Sequence, residues 1–208
     1  MGLTDYKYKY NKYKGKYLQL NYGGDKRPKI IFLSGISGSG KTTLGKEIAQ
    51  KLNGKFIDQD WFFKREKPMI KLSNGKLLRN WDTQEAIDIT RLNKRLREEI
   101  QNKHLNYIIL GGFALRDEWF DNDVKPDLHF HIKIPKELSL QTRLKLKPGN
   151  EKDQTLMFNE AVWVFYQETI NKSKIDYFIN GTINNTLERR SKQDMIDEII
   201  DKIKKHNK

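Results

Sequence analysis

Residues 30 to 43 read Ile-Ile-Phe-Leu-Ser-Gly-Ile-Ser-Gly-Ser-Gly-Lys-Thr-Thr, an apolar run opening into Gly35, four residues, and then Gly40-Lys41-Thr42. This is the phosphate-binding P-loop spacing. Glycines at these places let the backbone curl until its N–H groups point inward, and a helix starting behind them favours an anion. The spacing assigns Lys41 to the β- and γ-phosphates of ATP and the Thr42 hydroxyl to Mg²⁺. Gly35, Ser37, Gly38, Ser39, Gly40 and Thr43 complete the cradle. The flanks agree: Ile30 to Leu33 reads as a buried strand, and Leu44, Ile48 and Leu52 recur at helical spacing.

Outward from this stretch, strand and helix patterns alternate. Strands are predicted at Lys29 to Ser34, Lys55 to Asp58, Tyr107 to Leu110, Leu128 to Ile134 and Tyr177 to Asn180. Helical periodicity covers Lys41 to Leu52, Gln84 to Asn102, Lys136 to Lys145, Asp153 to Lys172 and Thr186 to Lys205. Such alternation implies an α/β fold, a parallel sheet of about five strands with helices on both faces. Ligands then gather at the carboxyl ends of the strands. Ser73-Asn74-Gly75 between two apolar runs predicts a small hairpin over the site. His129 and His131 alternate with apolar residues, as one face of a strand does, which speaks against a metal pair.

The 208 residues suit one domain, from residue 26 to 208, behind an appendage of residues 1–25. In the appendage Tyr6, Tyr10, Tyr13, Tyr17 and Leu20 recur at steps of four and three among lysines, the pattern of a basic amphipathic helix. With a formal net charge of +13, that segment is a candidate for nucleic acid or an anionic surface. Disulfides and thiolate chemistry are excluded, because the chain has no cysteine. No apolar stretch approaches the ~20 residues of a membrane span. The start lacks a secretory core, and Tyr6 stands where a myristoylation signal wants Ser or Thr. The expectation is a soluble cytoplasmic protein.

Two acids carry the chemistry. Asp60, in Asp58-Gln59-Asp60, follows the second strand and so lies beside the γ-phosphate position, where phosphoryl transfer uses a carboxylate to orient or deprotonate a hydroxyl. Asp82, in Asn80-Trp81-Asp82, either caps a helix or holds substrate hydroxyls. Trp61, Phe62, Phe63 and Trp81 are candidates to stack on a planar base or to pack in the core.

The chain from Ile30 to Thr182 resembles the nicotinamide riboside kinase and uridine kinase group of P-loop nucleoside kinases. The resemblance rests on Gly35 to Leu44, Gln59-Asp60 with Phe62-Phe63-Lys64, Asn80-Trp81-Asp82 with Glu85-Ala86, Ile108 to Leu110 before Gly112-Phe113, Val162-Trp163 with Tyr166, and Asn180-Gly181-Thr182. It implies that Asp60 is the base for a ribose 5′-hydroxyl and that Asp82 binds the ribose hydroxyls. It further implies that Arg143 and Lys147 belong to a lid closing on the phosphates, and that Gly181 and Thr182 belong to the adenine-binding turn. Phe63, Trp81 and Arg143 then border the nucleoside.

The sequence departs from that group at Gly111, where the group has an acid that helps place Mg²⁺, at Asn159 for a lid aspartate, and at Trp61 for a second acid after the base. Asp58, Asp60 or Asp82 are the acids that can substitute for the one missing at Gly111. The helix from Gln84 runs almost directly into Tyr107, without the aromatic insertion of uridine kinases, which favours nicotinamide riboside as the acceptor. Three other readings stay open: a uridine or cytidine kinase, a catalytically weak nucleotide-binding protein, and a polynucleotide end kinase.

Overall fold

Ile30, Ile31, Phe32 and Leu33 are all buried because strand β1 (Lys29–Gly35) is the middle of a five-stranded sheet and has a layer on each face. The computed structural model describes residues 27–66, 68–113, 115–146, 149–184 and 186–207; the amphipathic segment read from residues 1–25 lies outside them, as does Lys147. The sheet order is β2-β5-β1-β6-β7, with β2 at Gly54–Asp58, β5 at Tyr107–Gly112, β6 at Leu128–Lys133 and β7 at Tyr177–Asn180. All four pairings are parallel.

Alternation along β1 divides the core. Ile31 and Leu33 join a cluster with Leu44 and Ile48 of helix α1 (Lys41–Lys51), and with Ile196, Ile199 and Ile203 of a C-terminal helix. Ile30 and Phe32 face the other way, onto Leu92 and Leu96 of helix α2 (Ile89–Ile100). A continuous apolar run is the expected signature of a strand covered on both faces. Helix α3 (Lys136–Leu146) follows β6 over the carboxyl edge of the sheet, and helix α4 (Glu151–Met157) passes through a π-turn at Phe158–Val162 into helix α5 (Trp163–Lys172). The hairpin is present, with β3 (Met69–Lys71) antiparallel to β4 (Leu77–Arg79). Its turn buries Leu72, and Ser73 and Lys76 bond to Glu160 and Asp153 of the α4 region.

Three predicted helices have other limits. The Gln84 to Asn102 stretch breaks at Ile87, which is extended and bridges Phe63, and Asp88 caps α2 by accepting from the Arg91 N–H. The Asp153 helix begins at Glu151, because Asn150 caps it by accepting from the N–H groups of Lys152 and Asp153. The last helix, α6 (Lys192–His206), begins behind the Ser191 cap rather than at Thr186. Before it, the Arg190 N–H donates to the Gly181 carbonyl and folds that stretch into a turn. No helix among the described residues is long and apolar enough to cross a membrane.

Candidate active site

The loop between β1 and α1 has the form its glycines predict. Gly38 and Gly40 take φ of 79° and 91°, left-handed values that a side chain rarely adopts. Gly40 is the N-cap of α1, no side chain caps that end, and no acid stands in its first turn. The helix therefore turns its N-terminal N–H groups toward the loop, an arrangement suited to a phosphate. Ser39 Oγ is buried and hydrogen-bonds to nothing. Helix α3 holds the loop from above: Ser139 Oγ donates to the Ser37 carbonyl at 2.8 Å, and Thr142 packs so close to Gly38 that a Cβ there would lie 2.6 Å from it.

Asp58, the last residue of β2, links this loop to the next strand. Its Oδ2 accepts from Thr42 Oγ1 at 3.2 Å, and its Oδ1 accepts from the Asp60 N–H at 3.1 Å, capping the 3-10 turn Gln59–Phe62. Asp60 thus sits in the first turn and is not its cap. A hydroxyl and a carboxylate this close are the hard oxygen donors that Mg²⁺ takes beside phosphate oxygens and water. Thr42 and Asp58 fit the ion, and of Asp58, Asp60 and Asp82 it is Asp58 that hydrogen-bonds to the Thr42 hydroxyl. The reason for Gly111 is packing. It pairs with Asp58 across the sheet, and a Cβ on it would lie 2.8 Å from the Phe56 ring.

Asp82 caps nothing; Thr83 occupies the cap position of the turn behind it. Its Oδ2 accepts from Arg143 Nη1 at 2.8 Å. Arg143, exposed by 3%, is no surface residue, and its Nε lacks a hydrogen-bond partner. Lys41, Ser37, Asp60 and Asp82 border one pocket with Phe63 and Trp81, whose rings meet edge to face with centroids 5.1 Å apart. The other aromatics of Gln59-Asp60-Trp61-Phe62-Phe63 go elsewhere: Phe62 is in the core, and Trp61 is half exposed with its edge on Phe56. Phe113, Trp119 and Phe165 also border this pocket. The sequence reading missed Asp58 as the Thr42 partner and missed Trp119 and Phe165 entirely. Neither aromatic lies in a motif, so only the tertiary fold reveals them. Gly181 and Thr182 follow β7 on the same carboxyl edge, where Thr182 is buried and bridges Arg189, but they do not border this pocket.

Beneath the loop runs a buried chain of hydrogen bonds whose direction can be derived. The Lys174 carbonyl can only accept, so His129 Nδ1 carries a proton and donates to it at 3.1 Å. His129 Nε2 then accepts from Ser34 Oγ at 2.6 Å, and Ser34 Oγ accepts from His131 Nδ1 at 2.8 Å. Tyr166 Oη completes the chain by donating to His131 Nε2 at 2.8 Å. Both imidazoles are neutral in this pattern. Burial pushes His129 down to about 4 and His131 to about 3, the latter aided by the positive charges of Lys133 and Lys41, and burial raises Tyr166. The two histidines share one strand face, as read from the sequence.

Comparison with known proteins gives three kinds of likeness. A family model described as AAA domain matches residues 34–157. The chain is 37% identical over 84 residues to a shikimate kinase of Azobacteroides pseudotrichonymphae, covering 39% of this chain and 45% of that one. It is 26% identical over 132 residues to a cytidylate kinase of Methanocaldococcus jannaschii, covering 61% and 68%. The chain spans less than half the length of the shikimate kinases it matches. Among solved structures, an uncharacterized protein from Eubacterium ventriosum superposes with a TM-score of 0.52 at 15% identity, covering 86% of this chain and 99% of that one. At that identity the likeness speaks for the α/β fold alone.

Proposed function

Because the chain belongs to the AAA domain family, we propose that it is an ATP- and Mg²⁺-dependent kinase that phosphorylates a hydroxyl of a small molecule. The finer reading is transfer to the ribose 5′-hydroxyl of a nucleoside, most like nicotinamide riboside. The observation that carries it is the convergence of Lys41, Asp60 and Asp82 on one pocket that also holds Phe63, Trp81, Phe113 and Trp119. The names of the relatives, shikimate kinase and cytidylate kinase, support phosphoryl transfer more broadly.

In this reading the P-loop amides and Lys41 bind the β- and γ-phosphates, and Gly181 and Thr182 border the adenine. Mg²⁺, held through Thr42 and Asp58, would neutralise charge on the phosphates when bound. Asp60 accepts the proton of the acceptor hydroxyl as that oxygen bonds to the γ-phosphorus. The bond to the bridging oxygen breaks, and ADP departs. Lys41 and Arg143 balance the charge that spreads over the transferring group. Asp82, with Oδ2 on Arg143, offers Oδ1 to a ribose hydroxyl.

A hydroxylated carboxylic acid is the second reading, favoured by the relatives named shikimate kinase. It requires a cation for the carboxylate, which Arg143 would supply on leaving Asp82. ADP release measured across nucleosides and shikimate separates the two. Turnover with nucleosides alone supports the first, and turnover with shikimate alone replaces it. Nucleotide binding with no acceptor-dependent ADP from any of them would reduce the protein to a nucleotide binder.

A further inference from the structure

We infer that the acceptor carries, at the end remote from its reacting hydroxyl, a planar ring bearing a neutral carbonyl oxygen, and that the Trp119 indole N–H reads that oxygen. The inference rests on the kinase reading for the hydroxyl end and on separate observations for the far end. Trp119 borders the acceptor pocket and is exposed by only 5%, and its Nε1 has no hydrogen-bond partner. A donor left unpaired in the interior costs about 1–3 kcal/mol, so native structures keep few of them without a use.

The ring is held for this purpose. Phe165 lies nearly parallel to it, at 13° and 6.3 Å between centroids, and Phe113 stacks in turn on Phe165 at 11° and 6.2 Å. Arg116 stacks on Trp119 and Phe165, with its guanidinium carbon 5.5 and 5.0 Å from their centroids. The Trp119 carbonyl accepts from Asn93 Nδ2 at 3.0 Å. Three near-parallel aromatic rings along the pocket suit a planar ligand.

Charge selects the oxygen. Arg116 is the cation stacked on these rings, and it already faces two carboxylates, Glu118 at 3.6 Å and Glu168 at 3.7 Å. These carboxylates offset the Arg116 charge, and a neutral amide-type carbonyl suits one indole donor better than a carboxylate does. Arg116 is a positioning residue here, since it acts through the rings.

The test uses the whole chain and two ribosides that differ by one group, nicotinamide riboside and the riboside of unsubstituted pyridinium, with binding read by calorimetry and by indole N–H resonances without ATP. Nicotinamide riboside is expected to bind at least tenfold more tightly than its partner and to move one indole resonance, the one missing in Trp119→Phe. In Trp119→Phe the two ribosides should bind alike, at the affinity of the pyridinium compound. Equal affinities in the unaltered protein, an unmoved indole, a preference that survives in Trp119→Phe, or no binding by either would each overturn the inference. Should Trp119→Phe fail to fold, the two affinities in the unaltered chain decide. Phosphoryl transfer with an unmoved indole sinks only this inference, whereas an indole response without transfer sinks only the kinase reading.

Discussion

Arg143 Nη1 donates to Asp82 Oδ2 across 2.8 Å and so ties the helix that holds the P-loop from above to the loop that leaves the hairpin. Both groups are largely out of water, at 3% and 13% side-chain exposure. Arg143 stands on the helix that packs on the P-loop, and Asp82 borders the pocket. The pair joins these two parts of the site, and each charge depends on the other.

Removing one member strands the other. Arg143→Met is expected to lower stability by about 3 kcal/mol, because an uncompensated buried carboxylate remains. Combining it with Asp82→Asn should recover at least half of that loss while leaving activity abolished. Urea denaturation of the single and double variants reads the first effect, and ADP release the second. Losses that simply add would mean the two side chains do not share an interaction.

Asp58→Asn separates charge from shape. Asparagine still caps the Gln59–Phe62 turn, so stability should change by less than about 1 kcal/mol. The Mg²⁺ concentration for half-maximal turnover should rise at least tenfold, since Thr42 loses its anionic neighbour. A titration of activity against Mg²⁺ gives the answer, and an unchanged midpoint removes Asp58 from the metal site.

Gly111→Glu is expected to harm the protein rather than improve it. Its Cβ would lie 2.8 Å from the Phe56 ring, an overpacking that costs about 1–3 kcal/mol. Lower stability by urea denaturation, with no gain in turnover, is the predicted result. Higher turnover would show that the acid absent here is one the site still needs.

Stability should fall with acid before any ordinary carboxylate titrates. His129 and His131 stay neutral in the fold down to about pH 4 and 3, whereas in the unfolded chain they take up protons below about 6.5. The unfolded state then binds more protons, so stability is complete above pH 6.5 and declines below it. Each histidine contributes about 1.4 kcal/mol per pH unit. Urea midpoints measured between pH 7.5 and 5 check this slope, and His131→Asn should roughly halve it.

The fold was legible because its signals are local. Five strands and the P-loop follow from apolar runs, glycines and helical spacing; Asp60 was read from its place just after the second strand, and Asp82 from its place before a helix. What could not be read depends on distant parts meeting. The resemblance gave Arg143 a place in a lid, but its bond to Asp82 shows only once β6 and α3 carry it there. At Gly111 the sequence shows only that the group's Mg²⁺-placing acid is absent, whereas the Phe56 ring that would crowd a side chain there shows only in the packing. Trp119 and Phe165 come from a 3-10 turn and a helix with no motif, and only the fold stacks them. The break at Ile87 was hidden because Asp88 caps a helix within a pattern that reads as one.

The most direct measurement is acceptor-dependent ADP release by the unaltered protein and by Asp60→Asn, with ATP and Mg²⁺ and a panel of nucleosides. The account predicts release only when an acceptor is present, a fall of about 10²–10⁴-fold in Asp60→Asn, and undiminished acceptor binding in that variant. Acceptor-dependent turnover that Asp60→Asn leaves intact would contradict it.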